Sequence, residues 1–238
     1  SALLGMRTGT PVDDLTGETA NFLAEGSVYG IDVGEGKIVW RHFVGYQTTI
    51  QPQLLDKDSL LVANQQHHEL LLLEKTTGRI FWRAEVEEPF LAPSFNDTQI
   101  FVTTESGKLI QINPQTGESE LAAQLPQTAN VGPMVAERDP YIYQPGFYSN
   151  LYVLSTQDFS CREVYYLGHY KGSIAIPPQF WSGYIVVAVN GGDFCDLYIL
   201  RPEKNGLELK LVQVITRVTS GPVTTPLQKF GRWMLVTA

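Results

Sequence analysis

Few residues in this chain combine the types and spacing that chemistry requires. His67-His68 with Glu69 places three potential metal donors side by side. A metal site needs three or four convergent donors, and neighbouring residues at a strand end point to opposite sides, so the pair reads as a polar hairpin tip. Asp13-Asp14 and Asp56 with Asp58 resemble paired carboxylates, but each falls in a turn, where Asp is favoured for local reasons. Gly191-Gly192-Asp193 resembles a phosphate loop. No helix pattern follows it to supply the amide-lined N-terminus such loops use, and a tight hairpin explains its glycines. A Gly-x-Ser-x-Gly nucleophile elbow is absent. The sequence therefore nominates no catalytic, cofactor-binding or metal residue and no cofactor, and it weighs against an enzyme.

The elements that would position any site repeat along the chain. An eleven-residue block runs from Gly30 to Trp40, returns from Leu72 to Trp82, and returns again, without its Trp, from Gln111 to Leu121. Its turn glycines Gly36, Gly78 and Gly117 are 42 and 39 residues apart, the signature of a repeat architecture. Pro11, Pro52, Pro93, Pro133, Pro177 and Pro222 keep nearly the same period, at separations of 41, 41, 40, 44 and 45 residues. Because Pro cannot donate to a ladder, it is tolerated at the first residue of a strand; these prolines predict one structural position used six times.

Each period predicts four strands. In the third they are Ala92–Phe95, Gln99–Thr104, Lys108–Ile112 and Ser119–Leu125, separated by turn formers at Asn96-Asp97, Glu105-Ser106-Gly107 and Asn113–Gly117. Second and third strands such as Leu60–Ala63 and Leu70–Leu73 are continuous apolar runs, as expected where both faces of a sheet are covered. The expected fold is all-β: a β-propeller of four-stranded antiparallel blades, an incomplete ring of five blades and the start of a sixth. Residues 1–238 are read as a single propeller domain or fragment with blades near 5–48, 49–87, 88–128, 129–170 and 171–215, and a partial blade at 216–238.

Composition restricts the function classes. With 17 Lys and Arg against 25 Asp and Glu and a net charge of −8, a nucleic-acid partner, which would need a basic face, is not expected. The sequence contains no 18-residue apolar run, so no direct membrane span is expected. Cys161 and Cys195 fall at turns of opposite kinds, on opposite faces of a propeller. A bridge needs Cα atoms within about 7 Å, so two free thiols are expected and cysteine does not report the compartment.

The eleven-residue block resembles the tryptophan-docking repeat of pyrroloquinoline-quinone-type propellers. That pattern has a small residue, Asp two places on, Thr-Gly at the sixth and seventh places and Trp at the eleventh. Gly30, Asp32, Gly36 and Trp40 match, with Glu35 for Thr. Thr77, Gly78 and Trp82 match in the next copy, with Glu74 for Asp. Asn113, Thr116 and Gly117 match in the third, with Leu121 for Trp. The later repeats, around Ser155–Glu163 and Arg201–Leu209, have nearly lost the motif. The resemblance implies a structural role for Gly36, Trp40, Gly78, Trp82 and Gly117: each Trp lies against the neighbouring blade and buries roughly 150–250 Å² of aromatic surface.

That family has two functional branches. One resembles the quinoprotein dehydrogenases, which bind quinone and Ca²⁺ and often carry a vicinal disulfide; no adjacent cysteines occur in this chain. The other resembles the periplasmic lipoprotein that assists outer-membrane β-barrel assembly, and it implies a non-catalytic protein-binding or scaffolding module in the periplasm or another extracytoplasmic space. The alternatives are a fragment of a quinone-dependent dehydrogenase and a propeller that senses a sugar or metal. The sequence does not identify the protein partner, and open blade edges would favour self-association. The contact surface read from sequence is Phe147 and Tyr148, in an aromatic stretch (Tyr141, Tyr143, Tyr165, Tyr166, Tyr170) followed by Phe180-Trp181, because Tyr and Trp are enriched at interfaces.

Overall fold

The computed structural model describes residues 19–136, 140–203 and 208–238. Pro11 and the Asp13-Asp14 pair lie outside them. Every described element is a strand. The first sheet has three, β1 (Thr19–Ala24), β2 (Ser27–Asp32) and β3 (Lys37–Phe43). Four four-stranded sheets follow. They are β4–β7 (Gln53–Leu54, Ser59–Asn64, Glu69–Glu74, Ile80–Glu85), β8–β11 (Ser94–Phe95, Ile100–Thr103, Lys108–Ile112, Ser119–Gln124), β12–β15 (Met134–Val135, Tyr141–Pro145, Asn150–Ser155, Cys161–Tyr166) and β16–β19 (Gln179–Trp181, Tyr184–Asn190, Cys195–Pro202, Leu209–Thr219). A two-stranded sheet, β20 (Gln228–Phe230) and β21 (Trp233–Leu235), comes last. Strand order within every sheet follows chain order, the antiparallel meander of a propeller blade. β19 extends past the blade boundary drawn at residue 215.

Burial follows from composition. All six residues of β5 are buried, as are the four central leucines of β6 and the five central residues of β17, so these apolar runs are covered on both faces. Fourth strands carry the polar residues: β7 alternates so that Trp82 and Ala84 are buried between exposed Phe81, Arg83 and Glu85. First strands are short, and Pro52, Pro93 and Pro133 each immediately precede one. Two of the other prolines require correction. Pro178, not Pro177, directly precedes β16, and Pro222 lies well upstream of β20. The connection leading into β16 is longer than those into β4, β8 and β12, so equal spacing along the chain no longer marks an equal position there.

A second repeat mark is visible only in the backbone. In four sheets the pairing of the last two strands slips by one residue, leaving Val39, Phe81, Arg162 and Val212 as the extra residue of a bulge. The residue after each bulge is Trp40, Trp82, Glu163 and Gln213. The bulge thus survives in repeats whose sequence motif has decayed.

The chain divides into two compact units, Ser1–Phe90 with Asn113–Ser119, and Leu91–Ile112 with Glu120–Ala238. The first contains a core of Leu23, Val28, Trp40, Val44, Leu60, Val62, Leu71 and Leu73. The second has three clusters, around Leu151, Ile185 and Leu200, around Val186, Cys195 and Val223, and around Phe101, Ile142 and Leu154.

Candidate functional site

In the first unit both tryptophans lie on the turn of the following repeat. The Trp40 indole N–H donates to the Lys75 carbonyl at 2.9 Å, and that of Trp82 to the Pro114 carbonyl at 2.8 Å. In each case the acceptor lies three residues before a turn glycine. A Cβ on Gly78 would fall 2.6 Å from Trp40 Cδ2, and one on Gly117 2.8 Å from Trp82 Cδ2. Both glycines also have φ near +70°, so close approach and backbone conformation each demand glycine. Each ring is only 8% exposed.

The other motif positions build the turn. Asp32 Oδ1 accepts the Glu35 amide at 2.7 Å, and Asn113 Oδ1 accepts the Gln115 amide at 2.8 Å. Glu74 instead accepts from the Thr77 hydroxyl. Gly30, paired across the strands with Trp40, leaves room for the indole, since a Cβ there would meet Trp40 Nε1 at 2.1 Å.

In the second unit the same junctions use different chemistry. Leu121 is 61% exposed and covers no turn. The glycine place of the following turn is held by Phe159, whose amide donates to the Ser155 carbonyl at 3.0 Å, as the Gly117 amide does to Asn113 at 2.8 Å. Phe159 has φ +54°, unusual for a bulky residue. Its ring meets Phe101 edge-on at 6.3 Å and joins the core. The later repeat therefore supplies the aromatic that the earlier one has lost.

At the next junction Glu163, the residue after the bulge, accepts the Leu209 amide at 2.7 Å, reversing the polarity of the indole contact. Burial pushes the Glu163 carboxyl above its usual range despite that bond. Asp158, in the preceding turn, is held down at about 2, chiefly by the Ser160 hydroxyl and also by Arg162.

The aromatic loop lies between β13 and β14, at one end of its sheet, where backbone bonds from two connections converge. The Phe147 amide donates to the Thr128 carbonyl at 3.1 Å, the Tyr148 amide to Gln127 Oε1 at 2.9 Å, and the Gly172 amide to the Phe147 carbonyl at 2.7 Å. Ser149, at φ +62°, donates through its hydroxyl to the Tyr170 carbonyl at 2.6 Å and pairs with the Ser173 hydroxyl. The Gln127 amide donates to the Tyr152 hydroxyl beneath. On this frame Tyr148 is 41% exposed, Tyr166 65% and Tyr170 76%, whereas Phe147 is half-buried. Phe147 stands edge-on to Tyr148 at 5.6 Å, the Lys171 ammonium lies 5.5 Å over the Tyr148 ring, and His169 is 6.1 Å from Tyr166. These side chains form a rigidly mounted aromatic and cationic surface. Phe147 and Tyr148 are the residues singled out in the sequence; the connection after β15 brings Lys171 beside Tyr148 and His169 beside Tyr166, neither of which the sequence marks.

The other candidates are structural. Asp56 Oδ1 accepts the amides of Asp58 and Ser59, both at 2.8 Å. His67 and His68 occupy the β5–β6 turn, with His68 at φ +52°. Gly191 has the Phe194 ring where a Cβ would sit. Both cysteines are free; burial raises the Cys195 thiol, and partial desolvation by its neighbours raises that of the more exposed Cys161. Among the described residues no three of His, Cys, Asp and Glu converge as metal ligands, and no helix is long and apolar enough to cross a membrane.

Comparison with known proteins agrees with this architecture. BamB from Moraxella catarrhalis aligns with a TM-score of 0.72 at 15% identity, over 93% of this chain and 64% of that one. The computationally designed Ika8 protein aligns with a TM-score of 0.69 at 12% identity, over 93% and 65%. The β-propeller domain of Myceliophthora thermophila Cps50 (Swd1) gives 0.65 at 10%, over 90% and 74%. At these identities the likeness is one of fold, and the chain spans less than two thirds of the first two. No curated protein matches. The family model described as outer membrane protein assembly factor BamB matches residues 24–149, more than half of the sequence. With a quinone-type propeller repeat read from the residues, a blade fold in the structure and this match, the chain belongs to the BamB family.

Proposed function

We propose that this chain is a non-catalytic protein-binding module that works outside the cytoplasm, and that its contact surface is the aromatic and cationic loop cluster of the second unit. The observation that carries the reading is the exposure of Tyr148, Tyr166 and Tyr170 beside Lys171 and His169, on loops pinned by backbone hydrogen bonds. Rigid aromatic side chains bury large area at little entropic cost and retain a polar end, the properties of interface hot spots. Loops on a stiff sheet present such residues without reorganisation. The family description, an outer membrane protein assembly factor, supports a protein of the outer-membrane assembly machinery as the partner class.

The test is in-cell photocrosslinking with a benzophenone amino acid at position 170, compared with one on an exposed turn such as Lys57. The expected result is a crosslink specific to position 170 and joined to an outer-membrane assembly component, which disappears in the Tyr148→Ala variant. Identical crosslinks from both positions, or crosslinks indifferent to Tyr148, would refute the assignment.

A further inference from the structure

Two cations of the second unit lie over aromatic rings in the same way. The Lys171 ammonium is 5.5 Å from the centre of the Tyr148 ring, and the Arg217 guanidinium carbon is 4.9 Å from that of Phe194. Each ring belongs to the turn between the second and third strands of its sheet, β13–β14 and β17–β18, and each cation follows 23 residues later, from the end of the fourth strand or just past it. The corresponding turns at 65–68 and 105–107 carry no aromatic residue. One connection ties the two turns together: the Gly172 amide donates to the Phe147 carbonyl at 2.7 Å, and the carbonyl of the next residue, Ser173, accepts the Asn190 amide at 2.8 Å. Phe194 lies on Gly191, where a Cβ would meet its ring at 2.4 Å. At Arg217 the ladder opens. Thr216, Arg217 and Val218 stand opposite Asp196 alone, Arg217 takes φ +51°, and its amide donates to Asp196 Oδ1 at 2.7 Å. A bulge re-aims a side chain, and a left-handed backbone at a residue with a Cβ is a cost that the surrounding structure must hold in place.

We infer that the Tyr148–Lys171 and Phe194–Arg217 pairs form a two-point docking site for an acidic, extended segment of a partner protein, one carboxylate to each cation. Charge names the occupant. Both cations are exposed, and among the described residues neither forms an ion pair, whereas Arg79, Arg83 and Arg162 each do. The turns and connections that meet at this end of the two sheets, residues 126–133, 146–149, 167–178, 191–194 and 216–227, contain one carboxylate, Asp193, against Lys171, Arg217 and His169. In a chain of net charge −8 this reverses the sign locally, so an acidic segment is repelled elsewhere and attracted here. The ring beneath each cation holds it by cation–π attraction and leaves N–H donors for a carboxylate, which the Arg217 guanidinium can take through two bonds. One exposed charge pair contributes little, but two on a fixed frame act together. The inference rests on the loop cluster being a partner surface and extends that surface to the β17–β18 turn.

The probe is a fluorescein-labelled peptide alternating Glu and Ser, about sixteen residues and roughly 50 Å long when extended, titrated with the whole chain and read by fluorescence anisotropy beside its Gln-Ser counterpart. Saturable binding of the Glu peptide is expected, weakening as salt rises, with none by the Gln peptide. Lys171→Gln and Arg217→Gln should each weaken it about two- to fivefold, the effect of one exposed charge pair, and together abolish it. Two controls separate charge at these positions from folding and from general attraction. Lys171→Arg with Arg217→Lys should bind nearly as the parent does, and Lys229→Gln, which removes an exposed cation of β20, should change nothing. The inference is overturned if the two peptides bind alike, if the Glu peptide does not saturate, if Lys229→Gln costs as much as the other two, or if the chain binds phosphatidylglycerol vesicles and not the peptide. The photocrosslink from position 170 distinguishes this inference from the reading beneath it. A crosslink that is lost in Tyr148→Ala but persists in the Lys171→Gln and Arg217→Gln double variant overturns the acidic docking site and leaves the loop cluster as the partner surface. Glu-peptide binding with the expected variant pattern, but no crosslink from position 170, sustains the two cation–ring pairs and refutes the loop cluster.

Discussion

Truncating Trp82 isolates the interaction that joins successive repeats. Trp82→Ala removes a ring that is 8% exposed, an indole hydrogen bond of 2.8 Å to Pro114 and the cover over Gly117. Large aromatic truncations in cores cost about 3–5 kcal/mol. The Pro114 carbonyl would then face the opened space, where water can bond to it, so the loss of the ring and not the orphaned acceptor should dominate. With a urea slope of about 2 kcal/mol/M, the midpoint should fall by about 2 M. Trp82→Phe separates the terms: it keeps most of the apolar area but loses the donor, and should cost roughly 1–3 kcal/mol. Gly117→Ala adds the converse test. Its Cβ would fall 2.8 Å from the ring at φ +75°, so it should destabilise the parent strongly. In the Trp82→Ala background the collision is gone and about 1–2 kcal/mol of left-handed backbone strain should remain. Urea unfolding followed by circular dichroism, with the four proteins forming a double-mutant cycle, measures this coupling. Coincident midpoints for Trp82→Ala and parent, or strictly additive losses in the cycle, would refute indole docking as the contact that holds these repeats together.

Other predictions concern the altered junctions, the loop cluster and the cofactor reading. A carboxyl raised by folding withdraws stability as pH climbs from its ordinary value, 4.5 for Glu163, through the raised one. Glu163→Gln, which keeps an acceptor for the Leu209 amide, should therefore be more stable than parent at neutral pH and lose that advantage in acid; an equal advantage at both would be contrary. Leu121→Trp combined with Phe159→Gly should restore indole docking, and thermal melts should show a favourable coupling above about 1 kcal/mol relative to the two single changes. No coupling would mean that the ring of Phe159 does not replace the missing tryptophan. Tyr148→Ala should shift stability by under about 0.5 kcal/mol, whereas Phe147→Ala, half-buried, should cost about 2 kcal/mol, near half the value for a fully buried Phe; equal effects would put both rings in one environment. Equilibrium dialysis with pyrroloquinoline quinone and Ca²⁺ should show no stoichiometric micromolar complex, and finding one would revive the dehydrogenase reading.

The fold was legible where one physical demand fixes one residue type. Gly78 and Gly117 must be glycine for two independent reasons, a left-handed backbone and an indole in contact, so they stand out in the chain. The leucines of β6 must be apolar because both faces of the sheet are covered. Pro177 misled because the connection before β16 is lengthened, which costs little free energy, whereas a strand position in a packed sheet cannot shift; Pro222 keeps the spacing but falls within the connection before β20, away from the strand. The candidate site was legible only in part. Phe147 and Tyr148 follow Pro145-Gly146, a recognisable turn, but Lys171 reaches Tyr148, and His169 reaches Tyr166, through a connection that no periodicity marks.

Decay of the motif in the later repeats reflects a change of chemistry at a preserved position. The bulge that precedes Trp40 and Trp82 also precedes Glu163, so the backbone there still turns the last strand's side chain toward the neighbouring repeat, whereas Gln213 after the last bulge is exposed. What that side chain must do is satisfy the next turn. An indole does so by covering a glycine and donating to a carbonyl. A carboxylate does so by accepting an amide, as Glu163 does from Leu209. A turn that fills the space with its own ring, as Phe159 does, needs nothing from its neighbour, and Leu121 is accordingly exposed. Loss of Trp at residue 121 and loss of Gly at residue 159 are therefore one event seen from two sides, because a ring already in place leaves no glycine surface for an incoming indole to cover.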